Sequence, residues 1–356
     1  MQIIMLIDMD YFFVACEELR RPEIKDKPTI VGSDPKQGEG RGVVMTCNYP
    51  ARKFGVRSGM PISQAYRIKS DAIYIPMDYD LYEKISKDVM KVVKSFADRF
   101  EQVSVDEAFI DVSKKIKSYE DSLDYAKRIK DTIKEKTGLP CTIGISTNKL
   151  MAKMACEAGK PNGIRLVREE DVKEFLNGKE LDDLYGIGKK TKEKLEAMGY
   201  KTIGELAKAN TMDLMERFGS FGVEIQKYAN GIDESKVEEN YEVKSIGREK
   251  TFEKDTADRD TVTTAIRKLS DEVIGEVKKA GLTFKAVTVK LRYGDFTEHL
   301  KSRSIRRSDD AGDLASNAVD LYLRYSDKSR PMRKIGVRVS DLTKARGQKK
   351  IGEFTS

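Results

Sequence analysis

The sequence has one histidine, no tryptophan and four cysteines among its 356 residues. The single histidine, His299, leaves almost nothing for histidine-based acid–base catalysis or metal ligation. The cysteines lack the CxxC spacing of zinc sites and redox pairs, which predicts buried thiols in a reducing cytoplasm. These cysteines are Cys16, Cys47, Cys141 and Cys156.

Long apolar segments are also missing. No uninterrupted run approaches the ~20 residues that a membrane-spanning helix needs. The first residues, Met1 to Ile7, carry no basic side chain and meet Asp8 too soon to form a signal peptide. We therefore expect a cytoplasmic protein that has no membrane partner, and we expect it to be a monomer.

Positive charge is scarce in the first two thirds of the chain and concentrated in the last third. The whole chain has a net charge of +7. Residues 241–356 contain 26 basic and 18 acidic residues, whereas 1–240 contain 40 basic and 41 acidic ones. A C-terminal excess of this kind is typical of a nucleic-acid-binding module, although a basic surface that only aids solubility is an equal alternative on charge alone.

Two short acidic segments stand out against these absences. Asp8 follows the apolar run Ile3 to Ile7, and Asp106 and Glu107 lie within the run Val103 to Ile110. Carboxylates at the ends of buried strands cost free energy to desolvate unless a cation pairs with them. Oxygen ligands without nearby His or Cys favour Mg²⁺ or Mn²⁺. Two such strands could hold two ions about 3.5–4 Å apart, the arrangement that serves phosphoryl transfer.

Strand and helix patterns alternate over the first half of the chain, which predicts an α+β fold. Short helices dominate from about residue 169, and 231–243 is acidic with little periodicity, as in a linker. Beyond it, four alternating segments and two helical ones predict a small β-α-β-β-α-β domain over 244–342. The polar residues 343–356 predict a tail.

Several motifs share one order and spacing with a known family. They are Asp8 to Phe13, Cys47 to Val56, Gly59 to Pro61, Ser104 to Ala108, Gly144 to Ser146 and Lys160 to Gly163. With these motifs the chain resembles the Y-family DNA polymerases of the DinB (polymerase IV-like) type, which bypass DNA lesions. The resemblance implies a right-hand polymerase. Its expected parts are a palm at 1–11 and 78–167, fingers at 12–77, a thumb at 168–230, a linker at 231–243 and a little finger at 244–342.

The resemblance also implies the roles of the acidic residues. Asp8, Asp106 and Glu107 are expected to be catalytic and to hold two Mg²⁺ ions, with Mn²⁺ able to substitute. The carbonyl of Met9 is expected to complete the ion on the nucleotide side.

The family's nucleotide-binding residues have counterparts in this sequence. Arg52 and Lys160 are expected to neutralise the triphosphate, and Phe13 to exclude a 2′-hydroxyl as a steric gate. Judged alone, Phe13 would be a core residue and the two cations ordinary surface residues. The full expected nucleotide set is Tyr11, Phe12, Phe13, Thr46, Tyr49, Arg52 and Lys160. The expected roof over the nascent base pair is Val43, Met45, Gly59 and Met60, bulkier than in many relatives.

Two further segments are expected to contact DNA. One is a helix-hairpin-helix turn in the thumb, where glycines let backbone N–H groups approach a phosphate, with Gly186, Gly188, Lys189 and Lys190. The other is the basic C-terminal domain, in which Lys301, Arg303 and Ile305 are expected to share one face of a strand. The expected DNA contacts there are Lys244, Arg248, Lys301, Arg303, Arg306, Arg333 and Arg338. A solvated basic strand that prevents edge pairing remains the alternative.

The tail resembles a peptide that binds a sliding clamp. Gln348, Ile351 and Phe354 have the spacing of one helical turn that fills an apolar pocket, although Thr355 stands where a second aromatic is common. An exposed disordered end is the alternative.

These observations together predict a template-directed DNA polymerase that performs translesion synthesis in DNA repair and transfers nucleotides from dNTPs to a primer 3′-hydroxyl. No third acidic cluster suggests a proofreading exonuclease, so low fidelity is expected. The first rival is a two-metal nuclease, which Arg52 and Lys160 disfavour. The second is a non-catalytic damaged-DNA-binding protein, which leaves the three carboxylates unexplained.

Overall fold

A computed structural model of the chain describes residues 2–239 and 242–345. The chain divides into two compact units, Met1–Asn240 and Tyr241–Ser356. The predicted α+β class is confirmed, since strands and helices are mixed in the first unit and the second contains a single helix-covered sheet.

The strands of the first unit are β1 Ile4–Met9, β2 Thr29–Gly32, β3 Val44–Cys47, β4 Ile73–Pro76, β5 Arg99–Gln102, β6 Glu107–Asp111, β7 Cys141–Ser146 and β8 Ile164–Leu166. Its helices are α1 Phe12–Arg20, α2 Tyr49–Arg52, α3 Ile62–Ile68, α4 Tyr79–Phe96, α5 Tyr119–Thr137, α6 Lys149–Gly159, α7 Val172–Leu176, α8 Lys189–Ala197, α9 Ile203–Ala207, α10 Thr211–Phe218 and α11 Ser220–Ala229.

The main sheet of this unit has the strand order β5-β6-β1-β7-β8. β1 is the central strand and runs antiparallel to both β6 and β7. Successive side chains of a strand point to opposite faces of the sheet. Accordingly, Met5 and Ile7 join the core with α4 and α5, whereas Ile4 and Leu6 pack with Ala152 of α6. Asp8 continues the face of Ile4 and Leu6, so it lies on the α6 side.

Gly144 in β7 allows α6 to lie close to the sheet. A Cβ atom built on Gly144 would overlap the carbonyl oxygen of Ala152 and the backbone nitrogen of Cys156. α6 begins at Asn148, whose side chain accepts a hydrogen bond from the N–H of Met151 at 2.9 Å and so satisfies one free helix-end donor. Close packing and capping together fix the helix that faces the acidic strand ends.

Two further cores complete the first unit. A small sheet of order β3-β2-β4 packs with α2 and α3 around Ile30, Val44 and Ile62. The short helices α7 to α11 form a third core with Leu150 and Met154 of α6. α6 therefore contributes side chains to two cores of this unit.

The second unit contains β9 Ser245–Thr256, α12 Arg259–Lys279, β10 Leu282–Tyr293, β11 Glu298–Ser308, α13 Ala311–Tyr325, β12 Met332–Ser340 and β13 Thr343–Lys344. The first six elements follow the predicted β-α-β-β-α-β order. Its sheet has the order β11-β10-β12-β9, and both helices pack on the face that carries Val287, Val289 and Val337. No described helix of this unit covers the other, open face of the sheet.

Candidate active site

The carboxylates of Asp8 and Glu107 face each other across two neighbouring strands. Asp8 near the end of β1 is the register partner of Glu107, the first residue of β6. Asp106 directly precedes β6, and its carbonyl oxygen accepts a hydrogen bond from the N–H of Met9 at 2.9 Å. The structure therefore brings together, at one end of the strand pair, the four residues that the sequence assigned to the metal site.

Two lysines pair with two of these carboxylates. Lys153 belongs to α6, and Lys160 lies in the segment after it. Lys160 donates to Oδ2 of Asp8 at 2.8 Å and to Oε1 of Glu157 at 2.7 Å. Lys153 of α6 forms an ion pair with Glu107. The carboxylate of Asp106 instead accepts from the hydroxyl of Ser104 at 2.6 Å, and Asp106 is half-buried.

Burial changes the acidity of this cluster. It raises the pKa of Asp8 to about 7, although Lys160 acts in the opposite direction. Burial by itself lowers the pKa of Lys160, but the charge of Asp8 and the hydrogen bonds to Asp8 and Glu157 outweigh it, so the net pKa is raised. The ionised form of Asp8 is thus costly here, and additional positive charge nearby would stabilise it.

The donor set suits a divalent cation. Within residues 2–239 and 242–345, no three His, Cys, Asp or Glu side chains already converge on a common point as metal ligands. Two of the three carboxylates are turned instead towards lysine ammonium groups. The carboxylate oxygens are ligands that Mg²⁺ and Mn²⁺ prefer, and the high pKa of Asp8 shows that one lysine does not offset its burial.

Phe13 lies at the edge of the core beside α4. Its ring is 4.8 Å from that of Tyr82, and the hydroxyl of Tyr82 donates to the buried carboxylate of Glu17 at 2.9 Å. Arg20 holds the same carboxylate with two hydrogen bonds. Phe12, in contrast, is buried in the core, so its backbone alone is available for the predicted nucleotide contact.

Two residues predicted to bind the triphosphate, Tyr49 and Arg52, lie together beside Tyr11. The guanidinium of Arg52 lies 4.9 Å from the ring centre of Tyr49, and the ring of Tyr11 meets Tyr49 edge-on at 5.5 Å. The Nε of Arg52 donates to the carbonyl of Cys47 at 3.1 Å, which fixes the base of its side chain. Thr46 is mostly buried on β3.

Comparisons with known proteins agree with this geometry. The profile of the impB/mucB/samB family matches residues 7–157, that of its C-terminal domain matches 243–351, and that of the IMS family HHH motif matches 169–200. "DNA polymerase IV 2" of Methanosarcina mazei is 40% identical over 96% of this chain and 92% of its own length. "DNA polymerase IV" of Methanoculleus marisnigri is also 40% identical, over 96% of this chain and 94% of its own.

The chain belongs to the DinB-type Y family of DNA polymerases. Solved structures agree. A Y-family polymerase chimera of Dbh and Dpo4 aligns with a TM-score of 0.88 at 31% identity, covering 96% of this chain and 99% of its own. The insertion ternary complex of Dbh DNA polymerase aligns with a TM-score of 0.69 at 31% identity over the same shares of the two chains.

The residues predicted to form the roof over the nascent base pair lie at the start of β3 and in the loop before α3. Val43 and Met45 expose 46% and 36% of their surface, so both offer apolar area to a ligand. The N–H of Gly59 donates to the carbonyl of Val44 at 2.8 Å, and the carbonyl of Met60 accepts from the N–H of Val44 at 2.8 Å. Gly59 has a φ of +81°, a conformation that favours glycine.

The predicted thumb hairpin is a turn that leads into α8. Gly186 has a φ of +92°, and Gly188 is the N-cap residue of α8. Lys189 and Lys190 occupy the first turn of that helix, and both are exposed. The turn thus presents free helix-end N–H groups together with two ammonium groups.

Three of the seven cations predicted to contact DNA in the C-terminal unit lie on the helix-covered side of its sheet. Arg303 binds Asn317 and Asp320 of α13, and Arg248 forms an ion pair with Glu276 of α12. Lys301 lies 5.0 Å from the ring centre of Tyr325. The face shared by Lys301, Arg303 and Ile305 is therefore turned towards helices, because Ile305 packs against the core there.

The open face of the sheet carries a different set of polar groups. The hydroxyls of Thr288 and Ser302 lie 2.9 Å apart, and Lys290 and Lys334 each lie 2.9 Å from Glu249. Arg338 is exposed beside Gly247 on this face. The predicted contacts Arg306 and Lys244 are also exposed, and Arg333 lies 4.4 Å from the ring of Phe296.

Sequence reasoning missed three residues at the site. Lys153 pairs with Glu107, Thr142 donates to Asp10, and Glu157 accepts from Lys160. Lys149, Lys153 and Glu157 recur every four residues along α6, a spacing that places them on one helix face and could have indicated their common role. The predicted clamp-binding residues Gln348, Ile351 and Phe354 lie outside the residues that the structure describes. No described helix is long and apolar enough to cross a membrane.

Proposed function

We propose that this chain extends a primer along a DNA template by attack of the primer 3′-hydroxyl on the α-phosphate of a dNTP, with pyrophosphate as the leaving group. The observation that carries the proposal is the pairing of Asp8 with Glu107 at one end of β1 and β6, beside Lys160. DNA and a nucleotide are the partners that a polymerase requires. A related chain is described as an insertion ternary complex.

Asp8, Asp106, Glu107 and the carbonyl of Met9 would hold two Mg²⁺ ions. When bound, these ions lower the pKa of the attacking hydroxyl and offset the charge on the phosphates. The chain's own groups position the substrate. Arg52 and Lys160 neutralise the triphosphate, Tyr49 supplies the ring over which the Arg52 guanidinium lies, and Thr46 adds a hydroxyl donor.

Phe13 would select the sugar. Its ring packs on Tyr82 rather than moving freely, so a 2′-hydroxyl meets a fixed wall. We assign residues 12–77 to the fingers, 1–11 and 78–167 to the palm and 168–230 to the thumb, with the C-terminal unit as a DNA-binding little finger. Val43 and Met45 would form an exposed, apolar roof over the nascent base pair.

A primer-extension assay on a defined template tests the proposal. We expect lengthening that requires both dNTPs and a divalent ion, and loss of extension in Asp106→Ala and Glu107→Ala. Shortening of the primer would favour the nuclease, and DNA binding without any change in primer length would favour the non-catalytic protein. A template with one abasic site tests bypass.

We further propose that the tail binds a sliding clamp through Gln348, Ile351 and Phe354. Deletion of 348–356 should abolish stimulation of extension by the clamp and leave extension without the clamp unchanged. Equal stimulation of both proteins would exclude the tail as the binding segment.

A further inference from the structure

A buried carboxylate next to the active site has no role in the mechanism described so far. Asp10 is only 1% exposed. Its Oδ1 accepts from the hydroxyl of Thr142 at 2.9 Å and from that of Tyr49 at 3.3 Å. Its Oδ2 accepts from the N–H of Asn162 at 2.8 Å and from Thr142 at 3.1 Å. One side chain thus joins three segments that are far apart in sequence.

The first of these segments carries the fingers residues proposed to bind the triphosphate. Tyr49 is the first residue of α2, and its hydroxyl is fixed on Asp10. Its ring is the surface over which the guanidinium of Arg52 lies. The position of Arg52 therefore depends on the orientation of the Tyr49 ring.

The second segment follows α6 and contains Lys160. Asn162, two residues later, is held on both sides: its N–H donates to Asp10, and its carbonyl accepts from the ammonium of Lys130. Lys130 also donates to the carbonyl of Cys141 at 2.8 Å. Asp10 thereby limits where the backbone of this segment, and with it the Lys160 ammonium, can lie.

The third contact anchors the carboxylate itself. Thr142 belongs to β7, which pairs directly with the central strand β1. Its hydroxyl donates to both oxygens of Asp10, so the carboxylate is held against the most buried part of the sheet. Packing alone does not require a charge at this point, because apolar residues of similar volume are usually at least as stabilising in a core.

We propose that Asp10 is a positioning residue for the incoming nucleotide. It aligns Tyr49 and Arg52 on one side of the triphosphate with Lys160 on the other, so that the cations of the fingers and of the palm are presented together. This inference rests on the proposed nucleotide contacts of Tyr49, Arg52 and Lys160. Asp10 itself touches neither substrate nor metal.

The first test replaces Asp10 by asparagine, which keeps the shape of the side chain. One acceptor oxygen becomes an N–H₂ group, which then faces a hydrogen-bond donor of the site and cannot accept from it. We expect Asp10→Asn to raise KM for the dNTP about tenfold, the factor associated with one charge-assisted hydrogen bond. The kcat, the melting temperature and the Kd for primer-template DNA should change little. Asp111→Asn is the matched control, since Asp111 lies at the opposite end of the β1–β6 pair and accepts from the N–H of Ser113.

A second set of variants keeps the test valid should Asp10→Asn fold poorly. Thr142 is buried, and no nucleotide contact is proposed for it. Thr142→Val removes both hydrogen bonds to Asp10 at nearly constant volume and should raise KM for the dNTP. Thr142→Ser keeps the hydroxyl, so its KM should stay near that of wild type. In a double-mutant cycle, Asp10→Asn and Tyr49→Phe should raise KM by less together than the product of their separate effects.

Three results would overturn the inference. The first is an unchanged KM in Asp10→Asn, and the second is a lower melting temperature of that variant with kcat and KM unaltered. The third is a KM in Thr142→Ser as high as in Thr142→Val. Failure of the proposed function has a different signature. In that case Arg52→Ala and Lys160→Ala would leave KM for the dNTP unchanged, whatever Asp10→Asn does.

Discussion

The ammonium of Lys160 donates a hydrogen bond to Asp8 at 2.8 Å across 152 residues of sequence. The contact joins the segment after α6 to the end of the central strand. It does not bring the acidity of Asp8 back to normal, because burial still raises the pKa of that carboxyl to about 7. The site therefore holds a carboxylate that is poorly stabilised by the protein alone, and this has consequences that can be measured.

In metal-free buffer, Asp8 should make the protein less stable as the pH rises from about 4 to about 7. The folded carboxyl has a pKa of about 7, and the unfolded one has the ordinary aspartate value of 3.8. Between these values the folded state holds a proton that the unfolded state has released, so the free energy of unfolding falls with rising pH. Urea unfolding of wild type and Asp8→Asn with EDTA at pH 5 and pH 7.5 measures this. Equal pH dependence in the two proteins would contradict the shift.

Mg²⁺ should stabilise the protein more at pH 7.5 than at pH 5. Protons compete with Mg²⁺ for the carboxylate of Asp8. At the higher pH fewer Asp8 carboxyls carry a proton that the ion must displace, so Mg²⁺ binds more tightly. The melting temperature should rise with Mg²⁺ concentration in wild type and much less in Asp8→Asn and Glu107→Gln. If Mg²⁺ raises the melting temperature of all three proteins equally, the stabilising ion does not bind at Asp8 and Glu107.

Replacement of Phe13 by alanine should admit ribonucleotides. The ring of Phe13 is backed by Tyr82, and its removal opens space beside the sugar. We expect the ratio of kcat/KM for dNTP over rNTP to fall by about 10- to 100-fold. Phe54→Ala is a control, since Phe54 is 48% exposed in the same predicted domain and packs with Lys69. If Phe13→Ala rejects rNTPs as strongly as wild type does, Phe13 is not the steric gate.

The hydroxyl of Tyr82 should contribute to stability as well. It donates to Glu17, a carboxylate with no exposed surface, at 2.9 Å. Loss of a hydrogen bond to a charged group costs about 1.5–3 kcal/mol. Tyr82→Phe should lower the free energy of urea unfolding by this amount, and Tyr79→Phe, at a residue that is 60% exposed, should have little effect. If the two variants have similar free energies of unfolding, the hydrogen bond from Tyr82 to Glu17 does not contribute to stability.

Gly144→Ala should separate α6 from the sheet. The added methyl group would overlap the backbone of Ala152 and Cys156. Overpacking of this kind costs about 1–3 kcal/mol or more. Gly188→Ala is the control, because nothing lies within 4 Å of a Cβ at Gly188. Thermal unfolding compares the two. The prediction fails if Gly144→Ala is as stable as wild type.

Much of the fold could be predicted from the sequence. The apolar run before Asp8 is strand β1. The run around Asp106 is only partly a strand, because residues 103–106 form the turn between β5 and β6, and β6 lies in the same sheet as β1. The six elements of the C-terminal unit occur in the predicted order. These predictions succeeded because burial imposes a period of two on strands and about 3.6 on helices. The sequence did not predict the register, and the pairing of Asp8 with Glu107 is seen only in the structure.

Other features depend on contacts that no local pattern encodes. Alternation along β11 correctly groups Lys301 with Arg303, yet it cannot tell which face the helices cover. The hydrogen bonds from Thr142 and Asn162 to Asp10 span 132 and 152 residues. Lys153 pairs with Glu107 only because Gly144 brings α6 close to the sheet. Such relations arise from tertiary packing rather than from propensity.

The central place of β1 also bears on how the molecule fails under heat. Its backbone is bonded on both edges, to β6 and to β7. Amide hydrogens in such a strand exchange with solvent only when the whole surrounding unit opens. Asp8 thus belongs to the region that comes apart last, while peripheral helices can fray without disturbing it. Loss of the pairing between Asp8 and Glu107 should then coincide with global unfolding of the first unit.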